Sequence, residues 1–364
     1  MQLKVENLPK QTSRAHLSGF SVFIMLCAFD IESCYDGTMS EVTSSLTGMG
    51  ADEIKEPLRR RMEQLAESNL YVGTSSWKYE GWLGQIYSRE RYEYRGKIAK
   101  NRFEADCLRE YAEVFKTVCV DAGYYRFPTT QSIEKLAGQV PEGFLLSFKV
   151  TDEITLKHFP QQARHGARAG LDNANFLNAE LFADEFLGQL EPFRDKIGIL
   201  MFEFTRFTKR DYEHGRDFVE ALDAFLGKLP RGWQYGVEIR NQGFLQPKYF
   251  EALKNQGVTH VFNSWSAMPP VSEQMAMEGA FTADYFASRF LLKPGRTYEA
   301  AVKNFSPYRE VKEAQESERA AIKALAARTG KKRSFIYVNN RLEGNALQTI
   351  AAALEILTAG GSGA

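Results

Sequence analysis

The sequence predicts a single (β/α)8 barrel led by an N-terminal helical extension, on three observations. Eight short apolar runs recur between residues 70 and 340. Most gaps between them hold an amphipathic stretch long enough for a crossover helix, and strands alternating with helices imply a parallel sheet. Most runs also end in polar or charged residues, at the strand ends where this fold carries its chemistry. Eight such units close most simply into a barrel.

In order, the runs are Tyr71–Thr74, Val118–Asp121, Phe144–Lys149, Ile197–Glu203, Tyr235–Arg240, Thr259–Asn263, Ser288–Lys293 and Ser334–Asn340. Ahead of them, a helix over Asp52–Ser68 places Ile54, Leu58, Met62 and Leu65 on one face. It is expected to cover the bottom of the barrel, with the Arg59–Arg61 run on its solvated face. The resulting division is a leader over 1–49, a leading helix over 50–69 and one barrel domain over 70–364.

Residues 1–47 do not join the repeat. Leu17–Phe29 is apolar but interrupted by Ser18, Gly19 and Ser21, and it falls short of the ~20 residues that cross a bilayer. Lys4, Lys10 and Arg14 precede it as in a signal peptide, yet Asp30 follows directly and no small-residue cleavage site is present. The expectation is a disordered leader or a misassigned start, with Met39 and Met49 as alternative starts.

With 364 residues, 44% hydrophobic and 25% charged, the chain has the makeup of a soluble globular protein with a sizeable core. Lys and Arg number 46 against 46 Asp and Glu. Zero net charge argues against a dedicated nucleic-acid or membrane-surface binder. Cys27, Cys34, Cys107 and Cys119 show neither CxxC spacing nor a disulfide framework, which suits reduced thiols in a cytoplasmic protein. The histidines do not cluster, so no zinc site is expected, and His260 inside a strand reads as a core residue.

Two strand-to-helix connections are long enough to be binding loops. The first, 75–104, carries Trp77, Tyr79, Trp82, Tyr87, Tyr92 and Tyr94. Trp77 and Trp82 could stack on a sugar or base, or pack the loop against the rim. The second, 150–174, carries Lys157, His158, Arg164, His165 and Arg168, which could meet an anion.

Alternation along each strand sorts side chains into the barrel interior or the helix layer. It turns Cys119 and Asp121, Ser147 and Lys149, Met201 and Glu203, Gly236, Glu238 and Arg240, Arg289, and Tyr337 and Asn339 inward. Asp121, Glu203 and Glu238 then meet Lys149, Arg240 and Arg289 at the top of one barrel. Burying charge costs several kcal/mol per ion unless it is paired. One reading is an ion network that satisfies itself. The other is a site with carboxylates for proton transfer and cations for an anionic group, and the strand-end position favours it. Glu238 is the first choice as catalytic base, with Glu203 beside it. Lys149 or Arg240 would polarise a carbonyl oxygen, and Arg240 and Arg289 would contact substrate. Asp121, Glu203 and Glu238 could instead hold Mg2+ or Mn2+, although no dedicated ligand set is assigned.

Two glycine-bearing turns extend the anion argument. Lys293-Pro294-Gly295-Arg296 follows the seventh strand, and Asn339, Asn340, Arg341, Gly344 and Asn345 follow the eighth. Loops at these positions form the recurring phosphate site of such barrels.

Five motifs stand in order along the chain: Gly73-Thr74-Ser75-Ser76-Trp77 with Trp82, then Tyr124-Tyr125-Arg126-Phe127-Pro128, Phe148-Lys149 with Glu153-Ile154-Thr155, Glu238-Ile239-Arg240, and Asn339-Asn340 with Glu343-Gly344-Asn345-Ala346. In these the chain resembles the YecE-like family, a domain of unknown function whose fold is a TIM barrel. The likeness spans roughly residues 53–357. Asp121-Ala122-Gly123 stands where the family often has Glu-x-Asn, and Arg289-Phe290-Leu291-Leu292 where it has Arg-x-His-Gly. The resemblance adds Tyr125 and Arg126 to Trp77 as candidate substrate contacts. It implies a sugar-isomerase-related protein whose reaction is not established.

Together these readings suggest an enzyme moving protons on a sugar or sugar phosphate, as an isomerase or epimerase does. The alternatives are a glycoside or phosphoester hydrolase, or a non-catalytic or single-strand-binding protein. The expected partner is a small anionic or sugar-like molecule, with no membrane and no nucleic acid. Deleting residues 1–47 should leave the melting temperature within a few degrees of the full chain, checked by thermal unfolding.

Overall fold

The computed structural model of the chain describes residues 51–121, 124–328 and 330–356. Eight parallel strands close into a barrel: β1 (Leu70–Ser75), β2 (Thr117–Val120), β3 (Leu145–Lys149), β4 (Ile197–Phe204), β5 (Gln234–Ile239), β6 (Thr259–Ser264), β7 (Ala287–Phe290) and β8 (Ser334–Val338). Each pairs with the next in sequence, and β8 returns to β1 with Leu70 against Ser334 and Gly73 against Tyr337. Every apolar run is thus a strand. The largest overshoot is at β7, expected to reach Lys293. It stops at Phe290 because the Leu291 amide donates to the Ser264 hydroxyl at 2.9 Å, which leads the chain out of the ladder.

The expected leader lies outside the described residues, as do Cys27 and Cys34. Helix α1 (Ala51–Glu67) buries Ile54, Leu58, Met62 and Leu65 and packs on β1 and α2 (Lys100–Val114). The arginine run is occupied within its own helix. Arg59 bonds Glu56 at 2.7 Å and Glu63 at 2.8 Å, and Arg60 bonds Glu56, at the spacings that make helix neighbours.

The outer layer continues with α3 (Thr130–Ala137), a helical stretch over 179–190, α4 (Gly215–Leu226), α5 (Pro247–Gln256), α6 (Val271–Ala276), α7 (Tyr298–Phe305), α8 (Glu316–Ala326) and α9 (Ala346–Ala353). Local chemistry sets their ends. Thr129 accepts the Ser132 amide in a capping box that starts α3. Pro247 opens α5, and Gly257 at φ +66° closes it. Among the described residues no helix is long and apolar enough to cross a membrane.

Two apolar layers result, one between strands and helices and one inside the barrel. The inner one holds Cys119, Leu145, Ile199, Met201, Val261, Tyr285, Ala287, Phe335 and Tyr337. Above Phe335 the Tyr337 hydroxyl donates to Ser147 Oγ at 2.6 Å and lies 2.8 Å from Thr117 Oγ1. The interior is filled. Cys107 and Cys119 are buried free thiols, and His260 is a core residue between Tyr249 at 3.1 Å and Gln274 at 3.4 Å, its pKa pushed down to about 4 by burial.

A bulge in β4 sets the side-chain direction of its upper half. Leu146 faces Ile197 but Phe148 faces Leu200, so β4 holds one residue more than β3. A slip of one residue exchanges the two faces of a strand. The extra residue therefore brings Met201 and Glu203 to the interior. Gly198 makes it feasible, since a Cβ there would stand 2.4 Å from Ser147 Oγ and 3.0 Å from the Phe335 ring.

One buried carboxyl lies away from these layers. Glu318 of α8 is 2% exposed, and burial, aided by the nearby Glu343 charge, pushes its pKa up to about 7 from 4.5. The folded state favours the protonated acid. Its contribution is fully present below pH 4.5, where both states are protonated, and is lost as pH rises to about 7. Glu318→Gln should therefore stabilise the protein near pH 8 by on the order of 2–3 kcal/mol and change little near pH 4, as read from urea unfolding at both.

Candidate functional site

Alternation delivers a charged side chain to the same end of the barrel from β2, β3, β4, β5 and β7. Arg289 of β7 spans the middle. Its Nη1 donates to Glu203 Oε2 at 2.6 Å and to Glu238 Oε2 at 2.7 Å, and its Nη2 reaches Asp121 Oδ1 at 3.4 Å. Arg240, directly after β5, pairs with Glu238 Oε1, donates to Glu203 Oε2 at 3.0 Å and donates to Asn263 Oδ1 at 3.1 Å. Lys149, at the end of β3, places Nζ 3.1 Å from Glu203 Oε2 and 3.7 Å from the centre of the Tyr124 ring. All six residues expected in the cluster meet there.

Their surroundings differ sharply. Glu238 is fully enclosed, with one arginine on each oxygen, whereas the Asp121 side chain is 35% exposed and, among the described residues, has Arg289 as its one ion-pair partner. Burial would raise the Glu203 pKa, but Lys149, Arg240 and Arg289 outweigh it and hold the carboxyl well below the usual range. Burial likewise opposes the charge on Arg289, and Glu238 with Glu203 and Asp121 more than restores it. Glu203 is a permanent anion here. Glu238, expected to be the first catalytic base, is buried away from solvent as the counter-ion of two arginines.

Alternation in β6 turns Asn263 inward beside Val261, a signal present in the sequence and not used above. Its Oδ1 accepts from Arg240, while Nδ2 donates to the Ile239 and Val261 carbonyls at 3.3 Å. Trp265, 4.2 Å from the Arg240 guanidinium, and Tyr124 were likewise not assigned. Both hold a cation by its aromatic face.

Several expected contacts have other work. Trp77 and Trp82 are buried in the outer apolar layer with Tyr87 and Tyr92, so the first long loop packs rather than stacks on a ligand. In the second, His158 lies 2.6 Å from Asp172 and 2.8 Å from Asp211, and Arg168 pairs with Glu153. Lys157 donates to the Asp211 carbonyl and sits 3.7 Å over the Tyr212 ring. Tyr125 is exposed, 5.2 Å from Tyr124, with Arg164 at 5.2 Å from its ring and Arg126 exposed beside it.

The expected phosphate cradle is taken up internally as well. Asn345 caps α9 by accepting the Gln348 amide at 3.0 Å, and Asn340 Oδ1 accepts the Ala346 amide at 2.7 Å. Gly344, at φ +120°, has no room for a side chain because the Glu310 carbonyl would lie 2.4 Å from its Cβ. Lys293 and Arg296 both pair with Glu313, at 3.0 and 2.5 Å. Asn339 and Arg341 remain at the mouth. Asn339 donates to the Ser75 carbonyl at 3.4 Å and accepts the Arg341 amide at 2.9 Å.

A Mg2+ or Mn2+ ion does not fit this residue set. Its three carboxylates would need a common point, and the Arg289 guanidinium stands between them. Among the described residues no group of three His, Cys, Asp or Glu converges as metal ligands.

A closed eight-stranded α/β barrel with a cluster of charged side chains at its strand C-termini defines a TIM-barrel protein. The model for the protein of unknown function DUF72 matches residues 71–363, and the chain belongs to that family. It is similar to the UPF0759 protein YecE of Escherichia coli strain K12, 24% identical over 190 residues. That match covers 52% of this chain and 55% of YecE, so the chain spans about half the length of the curated relative. Among solved structures, a DUF72 family protein from Enterococcus faecalis V583 aligns with a TM-score of 0.52 at 16% identity, covering 79% of this chain and 96% of that one. One from Thermotoga maritima MSB8 aligns at 0.51 and 20%, covering 79% and 97%. These likenesses carry the fold.

The enclosure of Glu238 yields a direct test. Glu238→Gln leaves two buried guanidiniums short of a counter-charge and should destabilise the protein by ~3–5 kcal/mol, measured by chemical unfolding.

Proposed function

We propose that this chain is an enzyme that moves protons on a small sugar-like substrate bound at the strand C-terminal face, as an isomerase or epimerase does. The observation that carries the reading is the contrast among the three carboxylates. Glu203 and Glu238 are clamped by cations, while Asp121 opens to the cleft on one long contact. A carboxylate pinned by several cations is a weak base; one held loosely at an opening can take and return a proton. Asp121 is then the acid–base group. Lys149 and Arg240 polarise the substrate oxygen, and Glu203 and Glu238 hold those cations in place.

The internal pairing of Lys157, His158 and Arg168 supports a small substrate over a nucleic-acid strand, because a strand-binding groove needs unpaired cations. The buried thiols of Cys107 and Cys119 support a reducing, cytoplasmic setting.

Aldoses, ketoses and their phosphates incubated with the protein in deuterated water report proton transfer directly, through loss of a carbon-bound proton signal. Wild type should exchange at least one of them. Asp121→Asn should slow that exchange by ~100-fold or more while changing stability by only ~0–1 kcal/mol, since the contact it weakens is long, at 3.4 Å, its carboxylate end is partly exposed, and Arg289 keeps Glu203 and Glu238. Full exchange in Asp121→Asn, or none in wild type across the panel, would overturn the assignment.

A further inference from the structure

Among the described residues, four side chains at or beyond the C-terminal ends of β1, β7 and β8 carry a buried polar atom with no hydrogen-bond partner. Ser75 ends β1 facing inward, fully buried, and its hydroxyl has no hydrogen-bond partner. Arg289 uses both Nη atoms on carboxylates, yet its buried Nε–H is unpartnered. Asn340 is 1% exposed, and with Oδ1 on the Ala346 amide its Nδ2 is left without an acceptor. Next along the chain, the Nε–H of Arg341 is also buried and unpartnered. Its guanidinium lies 4.6 Å from the centre of the Tyr298 ring, and among the described residues it makes no ion pair.

Asn339 links the backbone at the end of β1 to the turn after β8, since its side chain bonds both the Ser75 carbonyl and the Arg341 amide. Tyr79 adds a wall, donating to the Ser75 carbonyl at 3.3 Å and standing 5.5 Å from Tyr308. Burial raises the pKa of its phenol, and the Arg341 charge opposes that rise.

All four unpartnered groups can donate. Buried donors are normally met by an acceptor, and the carboxylates nearby are already engaged by cations. What suits the corner is an acceptor from outside that also balances the Arg341 charge. We propose that the β1–β8 corner binds an oxyanion of the substrate, a carboxylate or a phosphate, through Arg341 with Ser75 and Asn340 as neutral donors. This rests on the reading that the cleft holds a small substrate, and it adds that one end of that substrate is anionic. Side chains do the binding, because the amides that open α9 are already capped by Asn340 and Asn345.

Calorimetric titration of the full chain at low salt, with inorganic phosphate and separately with glycolate, tests this without turnover. At least one probe should bind at one site per chain, and the tighter of the two identifies the group. Arg341→Met should weaken binding ~10–100-fold, the range for a charged hydrogen bond. Arg341→Lys keeps the charge but loses the planar fork, and should still weaken it ~10-fold. Arg206→Met removes an exposed charge from the loop after β4 and should bind as wild type. The proposal fails if neither probe binds above a sodium chloride control, if both Arg341 variants bind like wild type, or if Arg206→Met weakens binding equally. A protein that binds phosphate yet exchanges no substrate proton would remove the catalytic reading and leave this one standing.

Discussion

Arg289 crosses the barrel from β7 and meets carboxylates from β2, β4 and β5. A buried guanidinium costs several kcal/mol to desolvate, and only good geometry with several partners offsets that cost. The partners are on three different strands, so the ion cluster forms only when the barrel is closed and in register. The bulge at Gly198 belongs to the same constraint, because without it Glu203 would face the helices and Arg289 would lose an acceptor. Polar geometry at the top and strand register below are thus one condition.

Much of this was legible beforehand because a strand has period two. The eight runs located the strands, and parity alone placed Asp121, Lys149, Glu203, Glu238, Arg240 and Arg289 at one end of the barrel. What parity does not carry is distance from the opening. Glu238 and Asp121 look equivalent as inward acids at strand ends, yet one is sealed between two arginines and the other meets the cleft. That difference comes from how far each side chain reaches and which neighbours crowd it. Asn263 was legible by the same alternation and was missed.

Loops were the least legible part, for a physical reason. The aromatic residues after β1 and the basic residues after β3 have compositions suited to ligands. Their actual partners come from remote segments, such as Asp211 for Lys157 and His158. Asn345 and Gly344 show the same limit. A helix N-terminus is an anion site only while its amides are free, and side chains six or fewer residues away close this one.

The filled interior also governs traffic. Phe335, Tyr337 and Tyr285 plug the barrel below the charged cluster, and the Tyr337 hydroxyl closes the layer with Ser147 and Thr117. The filled layer leaves no route along the barrel axis to the cluster from below. A molecule that reached the cluster from the strand C-terminal face would have to leave by the same face, so one departing would exclude another arriving.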